Sequence, residues 1–414
     1  MGAAGRGVEA GLVSSRPEAD SVTIDAADLA DRMSGLDAIG VGPGGAVNRL
    51  AWTDADRACG AWFEAQAARL GRVVERDPAG NLWALPPGAG PWWAIGSHLD
   101  SVRDGGKFDG PLGVAAAFAA AERAGTPLAV VSFADEEGAR FNTPTFGSRA
   151  LTGRLDADEV LARRDDDGVR LGDAMAAAGV DPQHLARAPE WLERVKGFVE
   201  LHIDQTRELA HAGAPVGVVR SLAARQRLQV DIEGQADHAG TTPRSERRDA
   251  MSAAARLIVA AEDLASDTPG FVVTAARILV EPNALTTVPA HVRLWIDARA
   301  PDAAAVDVWR RRLDDVAERN AAVEIQFTTA SRSAGVEFDD RVRQALHEAA
   351  GGDAPELVCF AGHDAGVLAE RRPAGMVFVR NPTGVSHSPH EHVDLEDAAA
   401  AASVMLRAVE GLAR

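Results

Sequence analysis

Along the first half of the chain, apolar runs of strand length alternate with Ala-rich helical stretches. "WWAIGS" (Trp92 to Ser97) and "LAVVSFADEEG" (Leu128 to Gly138) each read as a buried strand whose C-terminal end turns acidic or polar. Between them, "LGVAAAFAAAERAG" reads as a helix that stops at Gly125, just before Pro127. Strand, loop, helix, strand is the crossover that a parallel sheet requires. Ligands in such sheets sit outside the carboxyl ends of the strands. The polar stretch "GSHLDSVRDGGKFDGPLGV" (Gly96 to Val114) falls at one of those ends.

The pattern changes at about Gly213. "RLQVDIEG" alternates apolar and polar residues like a half-buried strand, and a polar Gly/Thr/Pro loop follows it. "DAMSAAARLIVAAEDLA" and "AAAVDVWRRRLDDVAERN" read as helices, and "FVVTAARILV", "HVRLWIDARA" and "AVEIQFTTA" as strands. Four strands with two helices on one face predict an α+β sandwich inserted in a larger α/β domain. The larger domain resumes by about Ser331, where "VCFAGHDAGVLAE" and "MVFVRNPTGVSHSPHE" add further strand ends with polar loops. The expected units are residues 1–213, 214–330 and 331–414, the first and last forming one domain. The acidic patch "RRDDDG" reads as a solvated loop.

Composition narrows the function classes. A chain of 414 residues with 46% hydrophobic content exceeds one comfortable core, in line with two domains. Lys+Arg 43 against Asp+Glu 61 gives a net charge of -18, which repels phosphate backbones and anionic lipid, so neither nucleic acid nor membrane is an expected partner. The stretch "MGAAGRGVEAGLVSSRPEAD" lacks the basic and apolar regions of a signal peptide, and a soluble cytoplasmic protein is expected. Cys59 and Cys359 are too few for a disulfide framework and read as small buried hydrophobes.

Two divalent metals close together need His nitrogens, carboxylate oxygens and one carboxylate shared by both ions. The strand ends offer such a set. His98 has Asp100 two residues on, where alternation puts a partner able to fix its ring. Asp109 lies in the turn "KFDGPLG", where Gly105, Gly106 and Gly110 allow close backbone approach, and it is suited to bridge. Glu136 and Glu137 are adjacent acids pointing different ways, so one can ligate while its neighbour faces a reacting water. His202 ends "GFVELHIDQ", and His387 sits in "GVSHSPHE". Taken singly, each has an ordinary structural role. Together they outline two half-sites sharing a carboxylate, with His363, His390 and His392 left outside.

Read in order, "GSHLDSVRDGGKFDGPLGV", "FADEEGARF", "GSRALTG", "VELHIDQ", "GQADHAGTTP", "EPNALTTVP", "IDARAP", "AGHDAG" and "GVSHSPHE" resemble the successive motifs of the hydantoinase/carbamoylase branch of the M20 metallopeptidase-like amidohydrolases. The resemblance covers nearly the whole chain after about Asp25. It implies a dinuclear-metal, aminopeptidase-like catalytic domain split around a lid and dimerisation domain, and a homodimer. It also implies that His98, Asp109 and His202 hold one divalent ion and Asp109, Glu137 and His387 the other, the ions being Mn, Zn, Co or Ni. Glu136 is then the general base and Asp100 orients His98. His238, in the lid, stabilises the oxyanion in a neighbouring subunit, and Gln205 and Arg299 bind substrate.

The implied reaction is hydrolysis of a linear C–N bond in a ureido acid, such as an N-carbamoyl-L-amino acid or allantoate. The alternative is an aminoacylase or dipeptidase activity on N-acyl amino acids. "ELH", with His202 where those relatives more often carry an acid, favours the first. A non-catalytic descendant is the other class, and it predicts a lost base or ligand; none is lost. Departures fall elsewhere: Thr286 stands in "PNALT" where an Asn is usual beside Arg299, Thr206 where Gly is usual, and Arg244 where Met is common. These bear on the substrate.

Overall fold

The computed structural model describes residues 22–414, so the N-terminal stretch read above for targeting signals lies outside the described residues. A mixed sheet forms the larger domain. Its centre is four parallel strands in the spatial order Leu128–Phe133, Trp92–His98, Val195–Ile203 and Ala374–Val379. Antiparallel neighbours extend both sides, Leu82–Leu85 beyond Leu128–Phe133 and Val216–Leu222 beyond Ala374–Val379. Helices cover both faces, which is why the central strands are apolar runs without alternation. All seven residues of Trp92–His98 are buried.

The helix Pro111–Arg123 follows the first of these strands, with Pro at its first turn and every residue from Pro111 to Ala121 buried. Its run of alanines lets it lie close on the sheet and against the helix Leu395–Ala413. This crossover turns the chain at the carboxyl end of Trp92–His98 and delivers Asp109 there.

The smaller domain is a four-stranded antiparallel sheet in the order Glu324–Ser333, Ala224–Glu233, His291–Ala300, Val272–Glu281. The two helices Ala250–Ser266 and Ala303–Glu318 pack on it. Every second residue of His291–Ala300 is buried, as its alternating sequence requires. Around this core the expected elements are found within a few residues of their read limits.

Two expectations change. The strand Val216–Leu222, placed beyond the boundary at 213 and so with the smaller domain, pairs with Ala374–Val379 and Glu356–Cys359 in the large sheet. Only Ala223 separates it from the next strand, so no break in hydrophobicity marks the change of sheet. The "RRDDDG" patch is more than a solvated loop, because Asp165 accepts the Arg140 Nε–H at 2.9 Å and the backbone N–H of Val169 at 2.8 Å. Cys59 and Cys359 are free and buried. Among the described residues, no helix is long and apolar enough to cross a membrane.

Candidate active site

The parallel strands end side by side, and their loops bring His98, Asp109, Glu136, Glu137, His202 and His387 into one pocket. Asp109 is at its centre. Its Oδ1 lies 3.0 Å from His202 Nε2 and 3.5 Å from His98 Nε2, while its Oδ2 lies 3.8 Å from His387 Nε2. His387 Nε2 is in turn 3.3 Å from Glu137 Oε1. Donors about 2.1 Å from one tetrahedral ion stand roughly 3.4 Å apart, and these separations match that spacing. His98, Asp109 and His202 are placed to hold a cation, as are Asp109, Glu137 and His387. A third grouping, His98 with Glu136 and Glu137, meets the same distance requirement.

Lone pairs face one another across this pocket. His202 Nδ1 lies 3.0 Å from the carbonyl of Ile203, so in the neutral ring the proton sits on Nδ1 and Nε2 offers a lone pair to a carboxylate. His202 Nε2 is buried with no hydrogen-bond partner. His98 repeats the arrangement, its Nδ1 3.1 Å from the Asp100 carbonyl. Two acceptors in contact need a cation or a proton between them, so the donor set fits divalent metals. Protonation in the pocket follows the same logic. Burial works against charging His98, but Asp100, Asp109 and Glu136 hold its pKa well above the usual histidine range. Burial and the Asp109 charge push Glu137 up to about 8. Burial likewise holds Glu136 well above the carboxylate range.

The backbone is arranged to allow these approaches. Gly110 has φ 84°, and a methyl group there would collide with the His98 ring. Asp135 (φ 50°) and His387 (φ 56°) adopt left-handed conformations that cost non-glycine residues energy, a strain common at functional sites. Asp100 does more than face His98 Nδ1 at 3.5 Å: its two carboxylate oxygens accept the backbone N–H groups of Glu136 at 3.1 Å and Glu137 at 3.0 Å. One carboxylate thus steadies both the histidine and the acidic turn.

Gln205 is brought to the same cluster, its Nε2 2.9 Å from Asp109 Oδ2. The other expected substrate groups lie elsewhere. Arg299 donates to Asp297 at 2.8 Å and to the Phe360 carbonyl at 2.5 Å, so it spans the smaller sheet and the larger domain. His238 and Thr286 lie in a small ribbon, with Thr287 opposite His238 and the Thr286 carbonyl accepting the Ala239 N–H at 2.9 Å. His363, left outside the ligand set, packs its ring 4.4 Å from that of His202 and joins none of the three groupings.

This geometry sits in a chain whose residues 94–411 match peptidase family M20/M25/M40. The chain belongs to that family. It is 39% identical over 404 residues to the N-carbamoyl-L-amino acid amidohydrolase of Geobacillus stearothermophilus, covering 93% of this chain and 98% of the relative. It is 33% identical to the allantoate amidohydrolase of Bacillus subtilis (strain 168), covering 88% and 92%. The crystal structure of a hydantoinase/carbamoylase family amidase from Burkholderia ambifaria superposes with a TM-score of 0.84 at 33% identity, over 95% of this chain and 99% of that one.

Two residues of this M20 centre escaped the sequence reading. Ser386 donates its hydroxyl to Asp109 Oδ2 at 2.7 Å. Glu391 is buried, and its carboxylate accepts three backbone N–H groups, those of Phe108 (3.1 Å), Asp109 (3.3 Å) and His387 (3.1 Å). It ties the Asp109 loop to the His387 loop. Glu391 does end the motif "GVSHSPHE", and an acid closing a loop of ligands was the available signal. In Glu391→Gln an amide NH₂ has to face one of those N–H donors. Affinity for metal should fall by roughly 10- to 100-fold. Metal titration checks this, with the melting temperature of the metal-free variant as the control for folding; unchanged affinity would show that the loops hold their spacing without it.

Proposed function

We propose that the chain is a metal-dependent amidohydrolase that cleaves a linear C–N bond in a ureido acid, an N-carbamoyl-L-amino acid or allantoate. The observation that carries the reading is the shared Asp109 carboxylate, one oxygen toward His98 and His202 and the other toward His387, with Glu137 beside His387. The substrate class is supported by full-length relatives named for N-carbamoyl-L-amino acids and allantoate. In this reading two divalent ions (Mn, Zn, Co or Ni) would be held by Asp109 in common, one with His98 and His202 and the other with Glu137 and His387. When bound, the ions supply Lewis acidity toward the scissile carbonyl and the attacking water.

The chain's own groups do the rest. Glu136 takes the proton from the attacking water and delivers it to the leaving nitrogen. Asp100 keeps Glu136 and His98 in register through the bonds described above. Gln205, Thr286 and Arg299 bind substrate, Arg299 gripping its carboxylate. For an N-carbamoyl amino acid the products are the amino acid, carbon dioxide and ammonia.

His238 is the oxyanion donor in this reading, and its hydrogen bonds support that. The backbone N–H groups of Gly240 and Thr241 both donate to His238 Nδ1 at 3.1 Å, so the neutral ring carries its proton on Nε2 and presents it outward. The residue lies beyond the far end of the smaller sheet. From Arg299 to His291 the strand runs roughly 27 Å at 3.4 Å per residue, and this separation supports a role for His238 in the site of a partner chain. The edge strand Val272–Glu281 exposes Val272, Ile278 and Leu279, and the adjacent helix exposes Met251 and Val259. A second copy paired there would cover them, giving a homodimer in which this domain is both lid and interface.

The test separates base from ligand. Glu136→Gln should keep both ions by metal analysis, while kcat on N-carbamoyl-L-amino acids falls by roughly 10²- to 10⁴-fold. Glu137→Gln should lose metal. Wild-type turnover in Glu136→Gln would remove Glu136 from the base role, and metal loss from it would move Glu136 into the third grouping.

A further inference from the structure

We propose that the cavity beside Gln205 receives the side chain of the substrate's amino acid portion, and that it takes an apolar group of up to about phenyl size. The inference rests on the ureido acid reading above and narrows it. The cavity holds about 180 Å³, and its apolar wall is Leu357, Cys359, Phe360, Ala361 and Phe378.

Position is the first argument. One wall is Gln205, whose amide bonds the Asp109 carboxylate at 2.9 Å. Phe360, whose carbonyl accepts the Arg299 guanidinium, also lines it. In an α-ureido acid the same carbon carries the ureido nitrogen, which must face the Asp109 cluster, and the carboxylate, which Arg299 is proposed to grip. The third substituent therefore leaves from between these anchors. Gln205 and Phe360, which touch these anchors, both line the cavity.

Chemistry is the second. Several polar groups at its rim are already engaged within the chain. Asp204 accepts the backbone N–H of Thr206 (2.8 Å), the Thr206 hydroxyl (2.6 Å) and the backbone N–H of Leu209 (3.1 Å). The Thr206 hydroxyl also accepts the N–H of Glu208 at 3.1 Å, and the Cys359 sulfur accepts that of Ala361 at 3.4 Å. A second ureido group, as allantoate carries, would press polar atoms against the wall of Leu357, Ala361 and Phe378, which is costly. A carboxylate would meet the negative charges of Asp204 and Glu208. An apolar group only sheds water. Since benzene occupies an apolar cavity of about 150 Å³, this volume suits isobutyl or phenyl.

The manganese-loaded enzyme would be assayed for kcat/KM on N-carbamoyl derivatives of glycine, L-leucine, L-phenylalanine, L-lysine and L-aspartate, and on allantoate. The leucine and phenylalanine derivatives should exceed the glycine derivative by roughly 10- to 100-fold. In Ala361→Leu the added side chain fills the cavity, and the ratio of phenylalanine to glycine derivative should fall toward unity. Equal rates across the series, or a preference for aspartate, lysine or allantoate, overturn the pocket and leave the ureido reading intact. Turnover of N-acetyl but not N-carbamoyl amino acids refutes the ureido reading; the same apolar order within the acetyl series would keep the pocket. Calorimetric binding to Glu136→Gln must show the same order without turnover, and equal affinity for the glycine and phenylalanine derivatives also overturns the proposal.

Discussion

Asp109→Ala should lose both metal ions and essentially all turnover, while the fold, followed by circular dichroism, is kept. The expectation comes from sharing. Each oxygen of this carboxylate faces a different set of ligands, His98 and His202 on one side and His387 on the other, so one substitution opens both half-sites. Burial would push its carboxyl up, but the facing imidazoles of His202 and His98 reverse that and hold it well below the usual carboxylate range. Asp109 thus supplies negative charge where acidic neighbours otherwise take up protons. Losing the metal-derived stabilisation of developing charge, worth several kcal/mol, should lower kcat by roughly 10⁴-fold or more. Single-ligand variants give the comparison. His202→Ala and His387→Ala should each lose one ion and keep the other, by elemental analysis after exhaustive dialysis. Two tightly held ions in Asp109→Ala would refute the bridging assignment, and loss of only one would assign Asp109 to a single half-site.

Much of this cluster was legible in the sequence because its residues sit where apolar strands end in polar loops, a pattern that needs no long-range knowledge. His98, Glu136, Glu137 and His202 all follow such runs, and the glycines around Asp109 mark a close approach that the His98 ring indeed requires at Gly110. What stayed hidden acts through the backbone. The role of Glu391 and the second role of Asp100 consist of accepting main-chain N–H groups, which any acid in any loop can do, so residue type alone does not mark them. Val216–Leu222 was misassigned for a related reason. Its apolar run fits either sheet equally well, and only the pairing partner decides. Arg299 shows the converse case: its residue type suits gripping a carboxylate, yet only the structure shows it spanning the two domains through the Phe360 carbonyl.

Mixing two inactive variants should restore activity. His238→Ala keeps an intact metal cluster but lacks the donor that its partner needs; Asp109→Ala keeps His238 but has no metals. Each alone should be nearly inactive, the first by roughly 10²- to 10³-fold, the loss typical of a missing oxyanion donor. If the proposed dimer forms, subunit exchange at equal concentrations makes half of all dimers mixed. In each mixed dimer one site combines intact metals with His238 of the other chain, so about a quarter of wild-type activity should return. In the proposed dimer this outcome is expected in preference to rescue within one chain, because His238 pairs with Thr287 beyond the far end of the smaller sheet, whereas Arg299 touches the larger domain at the opposite end. Exchange is followed independently by labelling the two variants and measuring energy transfer between them. If exchange is complete and the mixture stays as inactive as either parent, His238 does not act across the interface. If His238→Ala alone keeps full activity, no oxyanion role remains for it in either chain.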